Sequence, residues 1–153
     1  MNSGTKLLRW AGGIMIALGA GHLTILTFTA WEDVAGWVEQ GVWAAVPLSP
    51  GSVDTVPGLE NKLAFWGGPG SFAAPMALLG YLIRHLAGRG VTVPAGIGWG
   101  VAIWCALGGV LLVPSPFLAG VVPGLLIVLA ARKKEARKDG TTVNAGTARE
   151  GSR

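Results

Sequence analysis

The residue with the clearest chemical potential in this chain is His22, a lone histidine in the middle of an apolar stretch. An ionisable group at such a place marks a functional site by default. A neutral imidazole, however, costs far less to bury than a full charge. Two chemistries are open to it. As an acid–base group, His22 would need an orienting carboxylate, and Glu32 and Glu60, near the ends of neighbouring apolar stretches, are the catalytic candidates. As a ligand-binding or purely structural group it would need hydrogen-bond partners. Ser71 falls at similar depth, Thr29 lies on its helical face seven residues on, and Gly19 one turn earlier leaves room for the ring. His22, Ser71 and Trp66 form the candidate ligand-binding set.

Other chemistry is missing its parts. Two histidines and a single cysteine, far apart, make no metal-ligand pattern, so no metal is expected. No glycine-rich phosphate loop follows a strand, and GIGWG at 96–100 reads as helix-packing material, so no cofactor is expected. No carboxylate stands inside an apolar stretch, so a proton relay or cation pathway lacks its usual groups. Cys105, the only cysteine, has no intrachain disulfide partner and reads as a small apolar residue.

The elements that must position these groups follow from composition. Charged residues make up 13% of the chain, against about 25% in soluble domains, and mean hydropathy is +0.53. Residues 10–31, 63–83 and 90–131 contain no Asp, Glu, Lys or Arg. A soluble domain of this size has too little interior to hide three such runs, whereas each is long enough to cross a bilayer. The third is too long for one helix and divides at Pro114-Ser115-Pro116. The expected fold is therefore all-α, an integral membrane bundle of four transmembrane helices. The spans are about 8–30, 64–84, 93–113 and 117–131, followed by a basic tail, 132–153, without structure from Asp139 on.

Charge supports this count. With four spans, eleven of the twelve Lys and Arg fall on one side, and the loop at 31–63 carries five acids against Lys62 alone. The positive-inside rule places both termini in the cytoplasm and the loop outside, for a multi-pass protein of the inner (plasma) membrane. The net charge of +4 sits at membrane flanks and is no nucleic-acid footprint. A cleavable leader would need an apolar core of about 7–15 residues and a small-x-small exit. The first run is longer, and a cut after Ala30 would put Phe28 at the minus-three position, so an uncut span is expected.

Within the outer loop, Val34, Trp37, Val38 and Val42 recur at helical spacing, with Trp31 and Trp43 suited to the headgroup region. They predict an interfacial helix, followed by an irregular loop through PLSPGSVDTVPG. Small residues at four-residue spacing offer helix contacts: Gly13, Ala17 and Gly21, then Gly70 and Ala74, Gly96 and Gly100, and Gly120 and Gly124. The spacing fits contacts within one chain or between copies equally, so homo-oligomerisation stays open. Pro75 and Pro123 are expected to kink their spans.

The order LLRWAGGIMIALGAGHL, GVWAAVP, AFWGGPGSFAAPMALLGYLI and GWGVAIWCALGGVLLVPSPF resembles a family of small bacterial four-span membrane proteins of unknown function, over about residues 6–131. Its recognisable parts are Gly21-His22-Leu23, Ala64-Phe65-Trp66 and Gly98-Trp99. The resemblance implies the four-span architecture and no activity. Three functions fit these residues: a structural or interaction component or small hydrophobic ligand-binding bundle, an enzyme acting on a lipid or isoprenoid-like substrate through His22, or an oligomeric transporter subunit.

Overall fold

A computed structural model of the chain describes residues 3–41, 55–112 and 116–150, with the backbone alone for residues 137–150. Expectations for PLSPGSV, Val42, Trp43 and the Pro114-Ser115 break fall outside these residues. The described residues are helical, with no strand among them: α1 Ser3–Thr29, α2 Trp31–Gln40, α3 Val56–Gly67, α4 Ala73–Gly88, α5 Ala95–Leu111, a 3-10 turn Pro116–Gly120, and α6 Val121–Glu150. By length and composition one helix, α1, passes as a bilayer span, and its place near the N-terminus is also where a signal sequence would sit.

Two departures from the sequence reading concern helix ends. Residues 64–84 are two helices rather than one, separated at Gly68–Phe72. Glycines and Pro69 there remove both helix propensity and a backbone donor. Pro75 and Pro123 accordingly kink nothing. Each is the third residue of its helix, α4 and α6, where the N–H has no intrahelical acceptor. At the other end, α6 runs on through Asp139 to Glu150, where a stretch without structure is expected from the sequence.

Packing separates Met1–Met15 with Gly80–Arg153 from Ile16–Leu79. The first unit has eleven Lys and Arg against three Asp and Glu; the second has one against five.

In the first unit, α5 and α6 form a hairpin whose backbones nearly touch. A Cβ on Gly98 would stand 2.6 Å from the Gly124 carbonyl, and one on Gly124 would stand 2.7 Å from the Ala102 nitrogen. The seam on α5 is Gly98, Val101, Ala102, Cys105 and Gly109, all buried. It is not the Gly96/Gly100 stripe, both of which are exposed. On α1 the corresponding contact is Gly12, whose Cβ would meet the Gly80 carbonyl at 2.5 Å. Leu8, Met15 and Ile83 are buried in the same unit.

In the second unit Gly19 plays the same part, with a Cβ position 2.4 Å from the Ala73 carbonyl. The close contacts on α1 are thus Gly12 and Gly19, seven apart, rather than Gly13/Ala17/Gly21; above Gly21 there is open space.

Large apolar side chains lie exposed along every helix: Phe28 on α1, Val38 on α2, Leu63 on α3, Leu78 on α4, Leu111 on α5 and Val122 on α6. No polar or charged side chain is buried among the described residues.

Candidate functional site

His22 belongs to a heptad-spaced set on α1 with Leu8 and Met15. Its ring is half-buried, and its Nε2 donates to the Gly67 carbonyl at 2.7 Å. A carbonyl oxygen only accepts, so the bond requires the proton on Nε2 and leaves Nδ1 as the acceptor of the neutral ring.

Gly67 is the last residue of α3, where carbonyls lose their intrahelical donors. The chain closes this end tightly. Gly68 N donates to the carbonyls of Ala64 (3.0 Å) and Phe65 (3.1 Å), Gly70 N to that of Phe65 (2.9 Å), and Ser71 N to that of Gly68 (3.0 Å). The Gly67 carbonyl is completed from another helix, by His22. On the far side of the break the Ser71 hydroxyl accepts from Ala73 N at 3.2 Å, an ST-turn that satisfies the first N–H of α4.

Glycine is required at two of these positions by space. A Cβ on Gly70 would stand 2.8 Å from the Phe65 ring, and one on Gly68 would meet Leu26 at 2.8 Å. The Phe65 ring is held edge-on by Trp37, at 6.0 Å between centroids, and by Trp66, at 5.4 Å. Trp37 is buried, and its indole N–H donates to the Asn61 side-chain oxygen. α2, expected as a helix lying free at an interface, is thereby fastened to α3 through its central tryptophan.

The expected site residues are therefore dispersed among separate tasks. The histidine bonds a backbone carbonyl rather than Ser71, and Ser71 serves α4. Trp66 is about half-exposed beside Phe65. Thr29, expected on the histidine's face, donates back to the Leu26 carbonyl of its own helix at 3.2 Å. The room expected beside Gly19 is filled by Ala73 and Ala77. Glu32 is exposed in the first turn of α2, where its charge suits the helix N-terminus. Glu60 is exposed on α3, seven residues before Gly67 and so about 10 Å away along the helix. Among the described residues no group of three or more His, Cys, Asp and Glu gathers to hold a metal. What the sequence reading missed was the break itself, although Gly67-Gly68-Pro69-Gly70 is a turn signal of the strongest kind.

The pattern of a family of unknown function, DUF6463, matches residues 6–134. The chain belongs to the DUF6463 family. No curated protein and no solved structure matches it significantly. The matched DUF6463 region takes in α1 to α5, His22, the Gly67–Ser71 break and the first cations of α6.

Proposed function

We propose that this DUF6463 chain is a multi-pass protein of the bacterial inner membrane that crosses it four times, with both termini in the cytoplasm, and acts as a structural or interaction component rather than a catalyst. The observation that carries the reading is the surface. Large apolar side chains face outward on every helix while no polar side chain is buried among the described residues. Water would penalise such a surface at roughly 25 cal/mol per Å²; hydrocarbon would not. The second crossing is then a broken one, entering as α3 and continuing as α4. Irregular backbone at membrane depth is tolerated where protein satisfies it, and the His22 bond to Gly67 meets that need. The partner of His22 Nε2 is a backbone carbonyl and not a carboxylate, and Glu32 and Glu60 are exposed on other helices, which favours a structural role for the ring over the catalytic alternative.

An alkaline carbonate wash of membranes from expressing cells tests the reading. The full chain should stay in the pellet; release into the supernatant, as a peripheral or soluble protein behaves, would refute it.

One observation favours a second role alongside the first. Gly96 and Gly100 are exposed on α5 with open space where their Cβ atoms would be, beside exposed Ile103 and Trp104. Such a face suits close approach of a second copy in lipid. Site-directed crosslinking of Gly100→Cys in native membranes should then yield a dimer that Gly96→Ile removes; crosslinking equally efficient with and without Gly96→Ile would contradict self-association through this face.

A further inference from the structure

Cations from three helices and a loop meet at one end of the unit formed by Met1–Met15 and Gly80–Arg153. The start of α1 touches α6 where the basic run begins: a Cβ on Gly4 would stand 3.5 Å from the Ala130 carbonyl, two residues before Arg132. The guanidinium of Arg84, on α4, reaches over α1, with Nη1 3.4 Å from the Cβ position of Gly13. Gly13 lies one turn beyond Arg9. The loop after α4 is tied to α6 by Lys134, whose Nζ donates to the Thr92 hydroxyl at 3.0 Å. Lys6, Arg84, Arg89, Arg132 and Lys133 are all exposed at this end, and Glu135 is the one acid whose side chain is described in the unit.

Aromatic and aliphatic surface lies beside the charge. Tyr81 and His85, three residues before Arg84 and one after it, stack at 6.2 Å between centroids, and Trp10 and Trp99 are exposed. A cationic cluster bordered by rings that favour the headgroup level fits a negatively charged headgroup above an acyl chain. It fits a polynucleotide less well, since that would leave the apolar border in water.

We infer that this end is a binding surface for anionic phospholipid headgroups, assembled by helix packing rather than by the α6 basic run alone. The inference rests on the membrane reading above and adds a lipid class to it. Basic side chains at such a surface each favour anionic lipid by about fivefold.

The test uses the full chain reconstituted into phosphatidylcholine vesicles, with energy transfer from its tryptophans to dansyl-labelled phosphatidylglycerol or dansyl-labelled phosphatidylcholine. The native chain should prefer phosphatidylglycerol by about fivefold or more. The combined variant Arg84→Gln, Arg132→Gln, Lys133→Gln should lose most of that preference, the remainder being carried by the basic residues it keeps. Arg84→Lys with Arg132→Lys should keep the preference, and so should Lys62→Gln, which removes the one cation of the other unit. Arg84→Gln alone should lower the preference, which a tail acting by itself would not require. No preference in the native chain, or full preference in Arg84→Gln, overturns the inference while leaving the membrane reading intact. Failure of the chain to stay with pure phosphatidylcholine vesicles through an alkaline wash overturns both. Circular dichroism of each variant confirms that helix content is kept, as the exposure of the substituted side chains leads one to expect.

Discussion

The bond between His22 and Gly67 joins α1 to the end of α3, and its loss should be felt as stability rather than as chemistry. His22→Ala removes a donor and leaves the Gly67 carbonyl without its partner from another helix, a loss of about 1–3 kcal/mol. Thermal unfolding of the detergent-solubilised chain should show a lower midpoint, partly restored in His22→Gln, which retains a donor. An unchanged midpoint in His22→Ala would mean that the bond contributes nothing. The two seam glycines give a second expectation at this scale. Gly12→Ala and Gly19→Ala would drive a methyl against backbone oxygens at 2.5 and 2.4 Å. Backbone cannot step aside as a flexible side chain can, so each should cost about 1–3 kcal/mol. Gly21→Ala meets nothing within 4 Å and should gain up to about 1 kcal/mol of helix propensity. Sequence singled out His22 but not its partner, because a histidine's acceptor can be any carbonyl that folding delivers. It also placed the close contacts of α1 and α5 on the wrong small residues, Gly13/Ala17/Gly21 and Gly96/Gly100 in place of Gly12, Gly19 and Gly98. With 25 glycines in the chain, several small-residue stripes overlap, and only the partner helix selects among them.

Among the elements, the break between α3 and α4 is the most constrained feature. It is over-determined: a Cβ on Gly68 would crowd the Ala64 carbonyl and one on Gly70 the Phe65 ring, Pro69 lacks a donor, and the Ser71 hydroxyl accepts from the first N–H of α4. Gly70→Ala should therefore destabilise the chain. Because the clash is with the Phe65 ring at 2.8 Å, combining it with Phe65→Leu should recover part of the loss, with a coupling of about 0.5–3 kcal/mol in a double-mutant cycle. Strict additivity would show that the ring and the glycine are independent. Helix positions were partly legible from apolar runs and prolines: α1 and α5 overlap the runs at 8–30 and 93–113, whereas α6 starts later than 117 and continues past 131 to Glu150. The division of 64–84 was not inferred, because uncharged length was weighed above the Gly-Gly-Pro-Gly signal inside it. The attachment of α2 to α3 could not be read either. Amphipathic spacing shows that a helix has an apolar face, but not whether lipid or another helix covers it.

For the molecule as a whole, charge was the most legible property. Eleven of the twelve Lys and Arg belong to one packing unit, against three acids, while the other unit holds five acids and one lysine. The all-helical architecture and the family of unknown function were likewise within reach of the residues. Chemistry was less legible, because the partners of His22 and Ser71 are backbone groups that only folding brings to them. The central claim is topological: an even number of crossings, with the acidic loop and the basic tail on opposite faces of the membrane. Single cysteines introduced as Glu39→Cys on α2 and Glu135→Cys on α6, both exposed positions, can be probed in intact cells with a membrane-impermeant maleimide, while native Cys105, buried, stays silent. The account requires labelling at position 39 from outside and at position 135 only after the membrane is permeabilised. Labelling of both from the same side would contradict it.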